Sequence, residues 1–266
     1  MANTVTKMTD GIFCITEGIP EQPGVSAYLV TGSEKAVLID SLRDDRSLYE
    51  TVKGLTSLPV EVILTHGHWD HAGAGLHEFH EAGLPIYLSE KDFFFFTNED
   101  FSHALHGLKI DFFTPLTEGQ VFDLGGTCLE VIMLEGHTPG SCVLLEKDRQ
   151  LLFTGDSTGA GVFWMQLPGS LPLRELQKSL LKLWDRVKDM NTLMIHPGHR
   201  NQSPVQLYLG FLADTIMLTG KLIAGEWPSR DTEMTTSSGH HIKCKTASYN
   251  LIRDYCFKPD SIVSGF

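Results

Sequence analysis

No stretch of the 266-residue chain approaches the roughly 18 consecutive apolar residues of a membrane span, so a transmembrane helix is not expected. Residues 1–10 lack the apolar segment of a secretory signal, which argues for a cytoplasmic protein. Cysteine is sparse: five residues (Cys14, Cys128, Cys142, Cys244 and Cys256), scattered and without a Cys-x-x-Cys pair. They form no disulfide framework and read as reduced thiols, Cys128 and Cys142 acting as small hydrophobes in strand-like runs. Basic residues are few, 21 against 33 acidic ones, giving a formal charge of -12. A nucleic-acid partner is therefore disfavoured, since phosphate binding depends on Lys and Arg. Low-complexity segments and domain linkers are missing too. With 42% hydrophobic residues the chain can bury a full core, and it is read as one domain over residues 1–266.

What is present is a dense run of metal-binding side chains. Thr65-His66-Gly67-His68-Trp69-Asp70-His71 follows the apolar segment Val60 to Leu64. Three imidazoles and a carboxylate so close together would each need a partner in a core, and a metal supplies partners for all of them. Around this run the pattern predicts strands at 12–15, 25–30, 35–39, 60–64 and 85–88, with helices at 46–55 and 72–82. The segment 90–116, rich in phenylalanine, reads either as a lid insertion or as helices packed on the body. Strands follow at 121–124, 128–134, 141–146, 150–153 and 192–195. A helix spans 172–188, another opens at Ser203-Pro204 and runs to about Ala224, and two short strands are expected at 241–245 and 248–252.

Aligned by their carboxyl ends, four strands each lead into a donor. Val60 to Leu64 leads to His66, His68, Asp70 and His71; Leu129 to Leu134 to His137; Leu151 to Phe153 to Asp156; and Leu193 to Ile195 to His196. Sites in sheets flanked by helices form where loops leave the carboxyl ends of strands. Seven donors exceed one tetrahedral zinc and suit two metals about 3.5–4 Å apart with one carboxylate shared. Zinc is the expected element, with iron, manganese or nickel as alternatives for the same donors. The remaining histidines, His199 among them, read as surface or helix residues, although His199 lies close enough to His196 to reach the pocket rim. Trp69, Phe163 and Trp164 sit beside the ligand loops and are candidates for the substrate pocket. Its walls are expected from loop 18–24, the phenylalanine-rich insertion and loop 159–169.

Thr65 to His71 resembles the HxHxDH motif of the metallo-β-lactamase fold superfamily. Gly136-His137-Thr138-Pro139-Gly140-Ser141, Thr154-Gly155-Asp156 and His196-Pro197-Gly198 are similar to its other ligand motifs, in the family's order. The resemblance covers residues 11–198. It implies an αββα sandwich, two mixed sheets face to face with helices outside, and a metal site at one edge. It also implies one metal on His66, His68 and His137, a second on Asp70, His71 and His196, and Asp156 bridging. The activity implied is hydrolysis of a small ester, thioester, lactone or related substrate by a hydroxide shared between the metals, with Asp70 as catalytic proton shuttle.

Departures narrow the branch. Asp156 disfavours β-lactam hydrolysis, because zinc β-lactamases lack an acidic bridging residue. His68 stands where flavodiiron proteins carry Glu. Ser141 and the run Gly159 to Phe163 differ from the hydroxyacylglutathione hydrolase pattern, and Gly159 replaces the Tyr of many lactonases. A glyoxalase-II-like metal-dependent hydrolase with a small-molecule substrate is the leading expectation. An iron-dependent oxidoreductase such as a persulfide dioxygenase, a non-classical β-lactamase-like enzyme and a phosphodiester hydrolase stand as alternatives.

Overall fold

The computed structural model describes residues 3–17, 24–43, 48–73, 75–97, 110–235 and 241–261. The first sheet holds seven strands in chain order: β1 (Thr4–Thr9), β2 (Ile12–Thr16), β3 (Ser26–Thr31), β4 (Ala36–Ile39), β5 (Val60–Ile63), β6 (Ile86–Leu88) and β7 (Phe113–Pro115). Strands β1 to β4 pair antiparallel, and β4 to β7 are parallel. Parallel neighbours need crossovers, and α1 (Leu48–Leu55) and α2 (Leu76–Glu81) supply the two that flank β5. The second sheet has the order β14-β13-β11-β10-β9-β8, from β8 (Val121–Asp123), β9 (Cys128–Met133), β10 (Cys142–Glu146), β11 (Leu151–Gly155), β13 (Met194–Pro197) and β14 (Leu207–Tyr208).

Two-residue alternation sorts the side chains into layers. Val37, Ile39 and Ile63 face the second sheet and meet Leu129, Val131, Leu144 and Phe153 between the sheets. Ala36, Leu38 and Val62 face the other way and pack on Leu48 and Val52 of α1 and on Leu76 and Phe79 of α2. On the far side, Ile132, Val143, Leu145 and Ile195 meet α4 (Leu173–Val187) and α5 (Leu209–Ile223). The layers run helix, sheet, sheet, helix, the αββα sandwich the motifs imply. Helix α4 buries Leu173, Leu176, Leu180, Leu183 and Val187 along one stripe. Burying each stabilises the fold by about 1.5–3 kcal/mol relative to exposure.

Several features depart from the sequence reading, three of them in the second half of the chain. A third sheet, ordered β12-β17-β16-β15, is built from β12 (Val162–Met165), β15 (Arg230–Thr235), β16 (His241–Tyr249) and β17 (Ile252–Phe257). The strand expected at 248–252 is instead a turn. Tyr249 pairs with Ile252 across Asn250 and Leu251, and Asn250 adopts φ 50, a left-handed conformation asparagine tolerates. The helix expected from Ser203 begins only at Leu209: Ser203 Oγ accepts from Val205 N at 3.4 Å in a local turn, and Leu207–Tyr208 pairs with β13 first.

In the phenylalanine-rich insertion, which includes the short helix α3 (Phe94–Thr97), Phe95 and Phe113 are buried, and Phe93, Phe96 and Phe112 pack against the first-sheet cluster. Residues 98–109, the body of the expected lid, lie outside the described ones, as do residues 18–23 of the expected pocket loop. Among the described residues no helix is long and apolar enough to cross a membrane.

Candidate active site

Strand direction brings the ligand loops together. Strand β10 is antiparallel to β9 and β11, and β13 is parallel to β11, so β9, β11 and β13 release their loops at one edge. The β5 loop reaches the same edge, held there by a backbone bond from Cys142 N to Thr65 O at 2.9 Å. Tyr28 of the first sheet donates its hydroxyl to Pro197 O at 2.8 Å, tying down the end of β13.

Three overlapping triads of donors result: His66, His68 and His137; His66, His71 and Asp156; and Asp70, His71 and His199, the ligand atoms of each within 4.8 Å of one another. His66 and His71 belong to two triads each, so the donors form one continuous cluster. Six of the seven residues expected from the sequence are in it; His196 is not, and His199 takes part.

His196 must be corrected on geometric grounds. Alternation along β13 turns its side chain to the same face as Met194, between the sheets, where its ring stacks on Phe153 at 5.2 Å and tilts against Tyr28 at 5.7 Å. It is 3% exposed and joins none of the donor triads. The chain then passes the cluster at Gly198, where a Cβ would stand 2.4 Å from His71 Cε1 and 2.8 Å from Asp156 Oδ1. Glycine permits that approach, and His199 beyond it brings Nε2 to 3.4 Å from Asp70 Oδ2 and 3.3 Å from Asp156 Oδ2.

Hydrogen bonds set the imidazole tautomers. His137 Nδ1 lies 2.7 Å from the carbonyl of Trp164 and His199 Nδ1 3.3 Å from that of Gly24; a carbonyl only accepts, so both Nδ1 atoms carry the proton. His71 Nδ1 donates to Asp40 Oδ2 at 2.8 Å. Thr65 Oγ1 gives its proton to Asp40 Oδ2 at 3.0 Å and therefore accepts from His66 Nδ1 at 3.1 Å. Four imidazoles thus turn Nε2 toward the cluster. The Nε2 atoms of His66 and His71 are buried and make no hydrogen bond, which would be costly unless another group were to occupy the space between the donors. That orphaned pair, in a set of imidazole and carboxylate donors, fits a transition-metal site.

Charge divides the cluster in two. Burial, with neighbouring imidazoles, pushes His66 well down and His68 to about 3, and burial also lowers His137, so these three are neutral. Burial opposes charge on His199 as well, but the carboxylates of Asp156 and Asp70 raise it to about 10. His71 is raised against burial by Asp156, Asp70 and Asp40. Burial alone would raise the carboxyl of Asp70, yet His71 and then His199 hold it well below the usual carboxylate range.

Among the pocket candidates, Phe163 is a core residue: it is 1% exposed and packs on Tyr255 at 4.8 Å, because β12 turns Phe163 and Met165 inward. Trp164 points outward at 36% exposure, and Trp69, under the guanidinium of Arg43 at 6.0 Å, is 42% exposed. Asp40 was missed by sequence reasoning, although it closes β4 as the ligands close their strands. It accepts from Thr65 N at 2.8 Å as well as from Thr65 Oγ1 and His71 Nδ1, and it adopts φ 64 to do so.

Known proteins agree with this architecture. Hydroxyacylglutathione hydrolase GloC of Haemophilus influenzae is 35% identical over 135 residues, 48% of this chain; the chain spans only 64% of that relative's length. Acyl-coenzyme A thioesterase MBLAC2 of Homo sapiens is 30% identical over 224 residues, covering 72% of this chain and 79% of that one. Among solved structures, TTHA1623 in a di-iron-bound form is 30% identical with a TM-score of 0.61, covering 76% of this chain and 98% of its own. A metallo-beta-lactamase from Pontibacter korlensis shares the fold at 20% identity and a TM-score of 0.63, over 82% of this chain and 99% of that one. The sequence pattern of one family matches residues 21–199, and the chain belongs to that family, the metallo-beta-lactamase superfamily.

Proposed function

We propose that this protein is a metal-dependent hydrolase of small thioesters or related esters, with two divalent cations, zinc foremost, at the cluster. The observation that carries the reading is the run of overlapping donor triads, with the buried inward Nε2 atoms of His66 and His71 making no hydrogen bond. His66, His68 and His137 would hold one cation and Asp70, His71 and His199 the other. Asp156 would be the carboxylate between them, with oxygens 3.3 Å from His71 Nε2, 3.3 Å from His199 Nε2 and 3.8 Å from His137 Nε2. When bound, the cations supply an activated water and Lewis acidity toward a carbonyl.

The chain's own groups do the rest. Asp40 and the carbonyls of Trp164 and Gly24 hold the rings of His71, His137 and His199 in place. Asp70, whose side chain is 21% exposed, is ionised at the solvent side of the cluster and can take up and hand on a proton at Oδ2. Trp69, adjacent in sequence to His68 and Asp70, and Trp164, whose carbonyl bonds His137, are both exposed and offer apolar surface for an acyl group. Thioesters lead because the relatives are a hydroxyacylglutathione hydrolase and an acyl-coenzyme A thioesterase.

The test is metal content together with a hydrolysis panel of thioesters, esters, lactones, phosphodiesters and β-lactams on one sample. Thioester turnover that chelation abolishes and zinc restores is the expected result. The di-iron-bound relative motivates a second reading as an iron-dependent oxidoreductase. Iron as the sole metal, with oxygen uptake on a persulfide and no hydrolysis, would overturn the hydrolase.

Proton counting gives an independent check. A ligating imidazole must be neutral, while His199, held near 10, is protonated at pH 7 in the apo-protein. Zinc uptake at pH 7 is therefore expected to release at least one proton, read by calorimetry in buffers of different ionisation enthalpy. The same shift has a signed effect on apo-protein stability. The His199 pKa is raised from 6.5 to about 10, so its contribution is fully present below the unfolded value and is lost as pH rises through the folded one.

A further inference from the structure

The ligand-bearing strand β5 lies between β4 and β6, parallel to both. Each neighbour ends near a buried carboxylate aimed at the β5 loop. Asp40 follows β4 and braces Thr65 and His71. Asp92, in the 3-10 turn Glu90–Asp92 just after β6, is fully buried and so far without a role.

Its contacts are specific. Asp92 Oδ2 accepts from Gly67 N at 2.8 Å and from Thr138 Oγ1 at 2.7 Å, and Oδ1 accepts from Gly140 N at 2.7 Å. Gly67 sits between His66 and His68, while Thr138 follows His137. A single carboxylate thus links the two loops that carry the three-histidine set. The fit is close: a Cβ on Gly140 would stand 2.6 Å from Asp92 Cγ. Among the described residues no basic side chain pairs with Asp92, and two backbone N–H groups and a hydroxyl stabilise it instead. An ordinary buried carboxylate without a cation is costly to keep, which makes a structural accident a poor explanation for three short bonds to two ligand loops.

We propose that Asp92 is the positioning residue of the three-histidine half-site, setting the separation of the 66–68 and 137 loops, as Asp40 positions His71 in the other half-site. The proposal rests on the metal reading above. Asp92 touches no ligand side chain and acts through Gly67, Thr138 and Gly140. Asparagine at 92 would turn an NH2 toward N–H or O–H donors, so at least one of the three bonds is lost while the shape stays.

The test is zinc affinity of the full-length protein, measured against a chromophoric chelator. In a His199→Ala background, which takes a donor from the acid-lined set, Asp92→Asn is expected to weaken the remaining three-histidine site by about 10- to 100-fold. Asp40→Asn in the same background should weaken that set less, since Asp40 reaches it through Thr65 and His66 Nδ1 and leaves the 137 loop untouched. In a His68→Ala background the order reverses, with Asp40→Asn weakening the remaining site and Asp92→Asn neutral. The cobalt(II) absorption spectrum of the three-histidine site should shift with Asp92→Asn. Unchanged affinity in Asp92→Asn, or equal weakening of both half-sites, overturns the proposal. Should Asp92→Asn fail to fold, Thr138→Val removes one donor without changing shape, and it must lower three-histidine affinity selectively for the proposal to stand. Wild-type protein that takes up no zinc would overturn the metal reading, a result distinct from equal affinities in wild type and variant.

Discussion

Asp156→Ala is expected to lower kcat/KM by on the order of 10³-fold or more on the substrate that the hydrolysis panel identifies. No other carboxylate in the cluster approaches imidazoles of both half-sites: its oxygens face His71 and His199 on one side and His137 on the other. Removing it takes away the charge that favours His71 and His199 and the one acidic donor placed between the two sets. Metal content should fall with activity, and circular dichroism should show the fold retained, since Asp156 is outside the hydrophobic clusters. A variant that keeps full turnover with its metal intact would remove Asp156 from the reaction and with it the shared-site reading.

The second large effect is a contrast between two neighbours. His199→Ala deletes an imidazole whose Nε2 lies 3.3–3.4 Å from two carboxylates, and it should cost on the order of 10²-fold or more in turnover together with metal affinity. His196→Ala leaves a cavity beside Phe153 and Tyr28 instead, and should cost about 2–4 kcal/mol of stability while the metal content of the folded protein stays at the wild-type level. Metal analysis and urea unfolding of the two variants decide the matter. Metal loss in His196→Ala with none in His199→Ala would reverse the assignment drawn from the geometry.

That pair shows where sequence reasoning stopped. The strand-end rule located β5, β9, β11 and β13 and the loops behind them, because hydrophobic runs ending in Gly-rich donor segments are a local signal. It named His196 because that residue comes directly after the apolar run. Only the direction of a side chain in three dimensions separates it from His199, three residues on. The pleat of β13 and the passage of Gly198 past His71 decide that direction, and neither leaves a mark in a single sequence. Phe163 failed for the same reason: its strand is defined by pairing with β17, about ninety residues away along the chain. Asp40 and Asp92 were hidden differently. A lone Asp after a strand has many uses, and its meaning comes from which loop lies beside it. Strand β1 was missed because its side chains are mostly exposed at the edge of the sheet and show no alternation.

The third sheet bears on how the protein is made. The ring of His137 is held by the carbonyl of Trp164 in β12, and among the described residues β12 pairs within its sheet only with β17. During synthesis, then, the histidines of β5 and the loop of β9 emerge long before the strand that steadies one of them has a partner. Until residues 252–257 are translated and docked, β12 lacks the strand partner that fixes the carbonyl holding His137. On the metal reading proposed above, loading of the three-histidine set is expected to follow the docking of β17.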